Sequence, residues 1–171
     1  MKIVLLGYMG CGKSAISKGL ATKFKCNRID LDDYIEEKEH LTIAQIFEQK
    51  GEVYFRKIET FYLNELLDKK EDFILSLGGG TPCFGRNMEW INQKSISVYL
   101  SAKIPTLTQR LLPEKAKRPL IARISDENLP EFIAKHLFER RPFYLKAKQP
   151  ISVDQKSIQT IVQEIADVVK K

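Results

Sequence analysis

One octapeptide near the start of the chain limits most strongly what this sequence can form. GYMGCGKS spans Gly7–Ser14, directly after the apolar segment Lys2–Leu6 and before residues with helical apolar spacing. The pattern G-x-x-x-x-G-K-[ST] between a buried strand and a helix turns backbone N–H groups towards phosphate oxygens. Lys13 can then reach the β- and γ-phosphates, and the Ser14 hydroxyl can ligate Mg²⁺. A turn that merely tolerates glycine would not need Lys and Ser in register, so the sequence predicts a nucleoside triphosphate site.

Short apolar segments alternate with helical segments along the rest of the chain. This alternation predicts an α/β fold in which helices cover both faces of a parallel sheet. The 171 residues contain no repeat or linker, so one domain over residues 1–171 is expected. The predicted strands are Lys2–Leu6, Arg28–Leu31, Phe73–Leu77, Ser95–Leu100 and Ile151–Asp154. The predicted helices cover residues 14–24, 42–51, 52–67, a short stretch around 90, 105–112, 127–146 and the segment after 157.

The composition excludes several classes of protein. The net charge of +6 is concentrated in residues 101–150, which suits a small polyanionic ligand, since the interleaved aromatic residues of single-strand nucleic-acid binders are missing. No apolar run approaches the ~18 residues that a membrane span requires. The three cysteines are widely spaced and odd in number, which predicts neither disulfides nor zinc. We therefore expect a cytoplasmic protein without a nucleic-acid or membrane partner.

Two other classes with this phosphate loop are disfavoured. A GTPase would carry Asn-Lys-x-Asp after a strand, but Ser101-Ala102-Lys103 follows the fourth predicted strand. An ATPase motor would place an acidic residue at the end of an apolar strand, whereas Phe73–Leu77 runs into Gly78–Gly80. Small-molecule kinases remain the best interpretation.

An acidic cluster follows the second predicted strand. On a continuing strand Asp30 and Asp32 would share one face and point into the phosphate crevice at the carboxyl edge of the sheet. One carboxylate could organise Mg²⁺ through water, and the other could accept a proton from an attacking hydroxyl. A turn or helix cap, to which Asp33 would belong, is an equally good interpretation of the spacing.

Three further features are compatible with an acceptor site. Arg56 could bind an anion or form a surface ion pair with Glu52 or Glu59. Gly78–Gly80 would let a ligand touch the backbone. Arg140 and Arg141 could hold a carboxylate or favour the end of a helix.

The segment Pro113–Arg123 is basic and has no clean period. Such a loop suits a mobile lid that excludes water during phosphate transfer, and a solvated loop is the simpler alternative. Cys11, inside the phosphate loop, is expected to be a reactive thiol whose alkylation inactivates the protein.

Taken together, these segments resemble the shikimate kinase family over essentially the whole chain. The motifs are GYMGCGKS at 7–14, DLD at 30–32, GEVYFRKIE at 51–59, SLGGG at 76–80, KRPL at 117–120 and ERRPFY at 139–144. The resemblance implies ATP-dependent phosphorylation of shikimate to shikimate 3-phosphate, in the biosynthesis of chorismate and aromatic amino acids. It also implies a three-layer α/β/α P-loop NTPase fold of the nucleoside-monophosphate-kinase type, with a five-stranded parallel sheet in the order 2-3-1-4-5.

The resemblance assigns roles to individual residues. It implies Mg²⁺ at Ser14 and Asp30, an acceptor-binding segment at about 33–68, a lid at about 113–123 and a monomer. Catalysis would fall to Asp32 as base, with Lys13 and Arg118. The ATP-binding residues would be Gly10, Cys11, Gly12, Lys13, Ser14, Ala15, Arg110 beside adenine, and Arg118 on the lid. The shikimate-binding residues would be Asp32, Arg56, Gly78, Gly79, Gly80 and Arg140.

The sequence departs from the family pattern in places, and rival functions remain. Asp33 adds a third acid, Arg141 adds a second arginine beside Arg140, and Asp154–Ser157 lacks an arginine expected near adenine. Gluconate, also a hydroxylated carboxylate, is a possible acceptor. A nucleoside monophosphate is less suited, because Arg56 is the only arginine in residues 33–68. A regulatory module that binds nucleic acid through residues 101–150 is the alternative outside the enzymes.

Overall fold

Five parallel strands form the centre of the protein. The computed structural model describes residues 1–170, so only Lys171 of the predicted domain lies outside the described residues. The sheet order β2-β3-β1-β4-β5 confirms the predicted fold class and strand order. The strands are β1 (Lys2–Leu6), β2 (Asn27–Asp30), β3 (Phe73–Ser76), β4 (Ile96–Ser101) and β5 (Gln149–Ser152).

Helices connect the strands and cover both faces of the sheet, as parallel crossovers require. In residues 1–170 no helix combines the length and the apolar character needed to cross a membrane. The helices are α1 (Lys13–Phe24), α2 (Leu31–Glu39), α3 (Ile43–Asp68), α4 (Asn87–Lys94), α5 (Ile104–Leu111), α6 (Leu129–Tyr144) and α7 (Ile158–Val169).

The central strand explains why the sheet can be covered on both faces. Ile3, Val4, Leu5 and Leu6 of β1 are all fully buried, so both faces of this strand are packed against helices. β1 pairs with β3 on one side and with β4 on the other. The loops that follow β1, β2 and β3 therefore emerge at the same edge of the sheet, which is where parallel α/β sheets bind ligands.

The structure differs most from the sequence prediction at β5 and α2, and it agrees at the break in α3. β5 lies two residues earlier than expected and contains Pro150, which is tolerated because β5 is an edge strand. Helix α2 was not predicted, because its nine residues bury only Leu31 and Ile35 and give a weak periodic signal. The break predicted at Gly51 is present, since its φ of 83° interrupts α3 between the two expected helices.

The predicted lid segment is partly ordered by its own contacts. It begins within a 3₁₀ turn at Leu112–Lys117, where an irregular loop was expected. Lys115 Nζ donates to the carbonyl of Ile124 over 2.8 Å and also pairs with Asp126. These contacts tie the start of the segment to the residues just after its end.

Candidate active site

The phosphate loop has the geometry that its sequence predicts. Gly10 and Gly12 have φ values of 81° and 101°, in the left-handed region that only glycine enters without strain. Helix α1 starts at Lys13, whose Nζ donates to the carbonyls of Gly7 and Tyr8 over 2.7 and 3.2 Å. The exposed Ser14 follows in the first turn. The Lys13 cation and the N-terminus of α1 therefore lie at the same place, which favours the binding of an anion there.

The side chain of Cys11 is buried beside the phosphate loop. The residue is 1% exposed, and its Sγ lies 3.8 Å from Lys13 Nζ and would lie 2.9 Å from a Cβ atom added to Gly7. This burial contradicts the expectation of an accessible thiol in this conformation. Inactivation by alkylation of Cys11 stays a prediction.

Asp30 and Asp32 reach the cleft by a different route from the one predicted. β2 ends at Asp30, which caps α2 by accepting the N–H of Asp32 over 3.0 Å, so the two residues do not share a strand face. That part of the prediction was wrong, because the chain turns into a helix immediately after Asp30. Both carboxylates nevertheless line the same cleft as Lys13 and Ser14, whereas Asp33 is exposed. Asp30 is thus a helix cap and a cleft residue at once.

The surroundings of these carboxylates make them better bases than free aspartate. Burial, followed by the negative charges of Asp30 and Glu59, raises the pKa of Asp32 to about 6 against the opposing effect of Lys13. Burial and the charge of Asp33 also raise the pKa of Asp30, which backbone N–H groups and Lys13 partly offset. A carboxylate with a pKa near 6 is still ionised at neutral pH and accepts a proton more readily.

Three consecutive glycines after β3 are each approached by a different polar side chain. A Cβ atom added to Gly78 would lie 3.0 Å from Asp32 Oδ1. At Gly79 it would lie 2.7 Å from Arg140 Nη1, and at Gly80 it would lie 2.9 Å from Arg56 Nη2. The run of glycine therefore makes room for one carboxylate and two guanidinium groups at the edge of the sheet. The structure brings together these residues from α2, α3, α6 and the loop after β3.

The first of these guanidinium groups, that of Arg56, is firmly held. Its Nη1 donates to Glu59 Oε2 over 2.9 Å, its Nε lies 3.8 Å from Glu52 Oε1, and it stacks over the ring of Phe84 at 3.8 Å. The ion-pair interpretation is therefore correct, although the principal partner is a buried acid and not a surface one. Glu59 is 1% exposed and also accepts the hydroxyl of Thr81 over 2.7 Å.

Arg140 is held differently. Within residues 1–170 no carboxylate lies within 4.0 Å of Arg140. One helical turn further on, Tyr144 donates its hydroxyl to the carbonyl of Gly79 over 2.7 Å. Arg141 is exposed. The sequence spacing that favoured Arg140 over its neighbour thus selects the arginine that lies beside the glycine run.

The remaining predicted residues also line the cleft, which has a volume of about 680 Å³. Arg110 Nη1 donates to the carbonyls of Gly10 and Cys11 in the phosphate loop, both over 3.3 Å. Arg118 Nη2 donates to Glu114 Oε2 over 2.7 Å. Both arginines line the cleft, as does Ala15.

The sequence did not reveal every residue of the cleft. Lys156 and Ile158 line it near the phosphate loop, in the stretch where an arginine was expected. A lysine in that stretch was the available signal, since it carries the same charge. Asp154 lies beside it but caps α5, because it accepts the N–H of Lys103 over 3.0 Å.

Comparison with known proteins identifies the family. A model of the shikimate kinase family matches residues 9–170. The chain belongs to the shikimate kinase family. The family resemblance and the enzyme class predicted from the motifs, a kinase, are thereby confirmed.

Individual shikimate kinases resemble the chain over its full length. The shikimate kinase of Flavobacterium johnsoniae is 49% identical over 168 residues, which are 98% of each chain. The crystal structure of the shikimate kinase of Bacteroides thetaiotaomicron has a TM-score of 0.92 and 35% identity, covering 100% of this chain and 99% of that one. The shikimate kinase of Acinetobacter baumannii, solved in complex with shikimate, has a TM-score of 0.87 and 35% identity, covering 99% and 92%.

Proposed function

We propose that the protein transfers the terminal phosphate of ATP to a hydroxyl of shikimate, giving shikimate 3-phosphate and ADP. This reaction would serve the biosynthesis of chorismate and aromatic amino acids. The observation that carries the proposal is the approach of Asp32, Arg140 and Arg56 to three successive glycines, the first two of which line the cleft that also contains the phosphate loop. A base and two guanidinium groups match an acceptor that has a hydroxyl and a carboxylate.

The acceptor side supplies charge, shape and a base. Arg56 and Arg140 bind the acceptor carboxylate by charge-assisted hydrogen bonds. Gly78–Gly80 line the ring of the acceptor, because they carry no side chains that would fill this space. Asp32 then takes the proton of the attacking hydroxyl, which its pKa of about 6 allows at neutral pH.

The nucleotide side supplies positive charge. The N–H groups at Gly10–Ala15 and the start of α1 bind the phosphates, and Lys13 exchanges its carbonyl partners for phosphate oxygens. Arg118 leaves Glu114 when the lid at 113–123 closes, and it stabilises the charge that develops during transfer. Arg110 borders the loop from outside and flanks adenine in this proposal.

The donor groups at the phosphate loop also fit Mg²⁺. Ser14 offers a hydroxyl and Asp30 a carboxylate, and Mg²⁺ prefers a small number of such oxygen ligands together with waters and phosphates. Across residues 1–170 no group of three His, Cys, Asp or Glu side chains forms a complete metal site, which Mg²⁺ of this kind does not require. When bound with ATP, the ion would neutralise phosphate charge.

The proposal includes the setting in which the protein works. Residues 33–68 form the acceptor-binding segment, since α3 contributes Arg56 and Asp32 directly precedes the segment at the start of α2. The unit is a monomer in the cytoplasm, with ATP and shikimate as its small-molecule partners and no nucleic acid or membrane. Cys11, Cys26 and Cys83 are free thiols, which suits a reducing compartment.

An acceptor panel tests this function. ADP release is measured with shikimate, gluconate and nucleoside monophosphates, each with ATP and Mg²⁺. The proposal expects ADP release that depends on shikimate and exceeds that with the other acceptors by at least about 100-fold in kcat/KM, equivalent to roughly 3 kcal/mol of discrimination. Equal or faster turnover with gluconate or a nucleoside monophosphate would overturn the assignment of the acceptor.

A further inference from the structure

One face of helix α6 touches both glycine loops of the cleft. His136, Arg140 and Tyr144 follow one another at intervals of four residues, which places them on one stripe of the helix. Tyr144 and Arg140 contact Gly79 after β3. His136 contacts Tyr8 in the phosphate loop, with 2.9 Å between its Nδ1 and the tyrosine hydroxyl. The stripe therefore bridges the nucleotide side and the acceptor side.

The contact between Tyr8 and His136 is a defined hydrogen bond within a packed group of rings. Tyr8 is 1% exposed, and its ring meets that of His136 edge to face, with 5.4 Å between centroids and 84° between planes. Phe132 packs on His136, with centroids 5.4 Å apart. Burial raises the pKa of Tyr8 to about 12, and burial followed by the charge of Arg140 lowers the pKa of His136. Both groups are therefore neutral at neutral pH, and the phenol keeps its proton.

The two ends of Tyr8 serve different parts of the molecule. Its carbonyl accepts the N–H of Cys11 over 3.2 Å and Lys13 Nζ over 3.2 Å, so its main chain is part of the phosphate loop. Its hydroxyl reaches across to α6. The hydrogen bond consequently fixes the distance between the phosphate loop and the helix that carries Arg140, one turn beyond His136.

The position of the Arg140 guanidinium group depends on its helix more than the position of the Arg56 guanidinium group does. Arg56 is oriented by Glu59 and Phe84, whereas no carboxylate in the described part of the chain lies within salt-bridge distance of Arg140. The position of the Arg140 guanidinium is therefore set by α6 and by Tyr144. A small shift or rotation of α6 would move Arg140 along the glycine run without moving Arg56.

We propose that Tyr8 and His136 are positioning residues, whose hydrogen bond holds α6 so that Arg140 meets the carboxylate of the acceptor. Neither residue touches a reacting atom. The inference rests on the proposed function, because it takes Arg140 to bind the acceptor carboxylate. Nothing in the motifs pointed to this pair, since Tyr8 occupies a variable position of the loop pattern and His136 lies 128 residues away along the chain.

The test compares four variants by their Michaelis constants. Tyr8→Phe keeps the ring and removes the hydroxyl, and His136→Leu removes the ring nitrogen that bonds this hydroxyl. Each should raise the KM for shikimate about fivefold, the effect of one ordinary hydrogen bond, and change the KM for ATP less than about twofold. The double variant should be no worse than either single one, because both remove the same contact. His136→Asn, whose amide group can replace Nδ1 as the hydrogen-bond partner of Tyr8, should return the KM for shikimate close to the wild-type value.

Ser97→Ala is the matched control for loss of a buried hydroxyl. Ser97 is fully buried on β4, where its hydroxyl bonds Asn92 over 2.5 Å and accepts the N–H of Lys148, away from both glycine loops. It should lower the melting temperature and leave both KM values unchanged.

The outcomes separate this inference from the function on which it rests. Wild-type turnover with an unchanged shikimate KM in Tyr8→Phe and His136→Leu would overturn the inference alone. Parallel changes in both KM values, or additive effects in the double variant, would also overturn it, since a general loss of structure explains them. Failure of the wild-type protein to phosphorylate shikimate would overturn both proposals.

Discussion

The two sides of the cleft are built in opposite ways. The nucleotide side comes mainly from one continuous segment, in which Gly10, Gly12 and Lys13 are fixed by the loop and the start of α1. The acceptor side is assembled from α2, α3, α6 and the loop after β3, which meet only in the folded chain. A local motif thus determines phosphate binding, whereas acceptor selection depends on the packing of distant helices. Variants should therefore separate the two sides kinetically.

Asp32→Asn should show the largest difference between its effect on turnover and its effect on ATP binding. The amide cannot accept the hydroxyl proton, so kcat should fall by roughly 10²–10⁴, the usual contribution of a general base. The phosphate loop is untouched, so the affinity for ATP should stay within about twofold of the wild-type value. Steady-state kinetics and calorimetric titration with ATP measure the two quantities. Near-normal turnover would remove Asp32 from the chemistry.

Arg118→Ala should give the next largest effect. Removing one cation that stabilises the charge developing on the transferred phosphate lowers kcat by roughly 10²-fold. The KM for shikimate should change little, because Arg118 bonds Glu114 and is not among the side chains that approach Gly78–Gly80. Lys117→Ala, which removes the neighbouring exposed cation, is the control. A change confined to the shikimate KM would contradict the role of Arg118.

Arg140→Ala and Arg56→Ala should both weaken acceptor binding. Loss of a hydrogen bond to a charged group corresponds to a roughly 10- to 100-fold higher KM for shikimate, with the KM for ATP unchanged. The exposed neighbours provide matched controls, Arg141→Ala and Lys57→Ala, which should leave both constants unchanged. An unchanged shikimate KM in both active-site variants would refute the carboxylate clamp.

The same two variants should differ in stability. Arg56→Ala leaves the buried carboxylate of Glu59 without its cation, which should destabilise the fold by roughly 2–4 kcal/mol. Arg140→Ala leaves no carboxylate without a partner, so its melting temperature should stay close to the wild-type value. Thermal unfolding of the two proteins measures the difference. Equal melting temperatures would mean that Glu59 does not depend on Arg56.

The smallest expected effects concern pH. Because the pKa of Asp32 is raised to about 6, the wild-type kcat/KM should fall tenfold per pH unit below about pH 6, and Asp32→Asn should lose this dependence.

The raised pKa of Asp32 also affects stability, because it means that the folded state disfavours the ionised form of this carboxyl group. Asp32→Asn should therefore gain stability relative to wild type as pH rises from about 4 to 6, by at most about 3 kcal/mol, and keep that gain above pH 6. Thermal unfolding at pH 4 and pH 8 measures the gain, and a larger gain at pH 4 would contradict the raised pKa.

The sequence predicted the nucleotide side of the cleft better than the acceptor side. The phosphate loop and the break at Gly51 depend on short-range patterns, whereas the sheet order was implied by the family resemblance, and all three are present in the structure. Residues 31–39 form a helix that the sequence did not reveal, because Asp30 ends a strand and caps a helix at the same position. Asp30 and Asp32 were correctly predicted to lie in the cleft, but the prediction that they share one face of a strand was wrong.

The features of the acceptor side that the sequence did not predict are contacts between segments far apart along the chain. Glu59 was considered only as a surface partner of Arg56, and its burial beneath Thr81 depends on packing between α3 and the turn after β3. The contact of Tyr8 with His136 joins residues that no periodic pattern relates. Such contacts follow from how α6 packs on the sheet, which a single sequence does not specify.

The identity of the phosphorylated product shows directly whether this cleft transfers phosphate from ATP to shikimate. The wild-type protein is incubated with ATP, Mg²⁺ and shikimate, and the mixture is followed by phosphorus nuclear magnetic resonance. We expect a new phosphomonoester signal, coupled to the ring proton at carbon 3 of shikimate, that grows in step with ADP and is absent with Asp32→Asn over the same time. Formation of ADP and inorganic phosphate with unchanged shikimate would show instead that the cleft hydrolyses ATP.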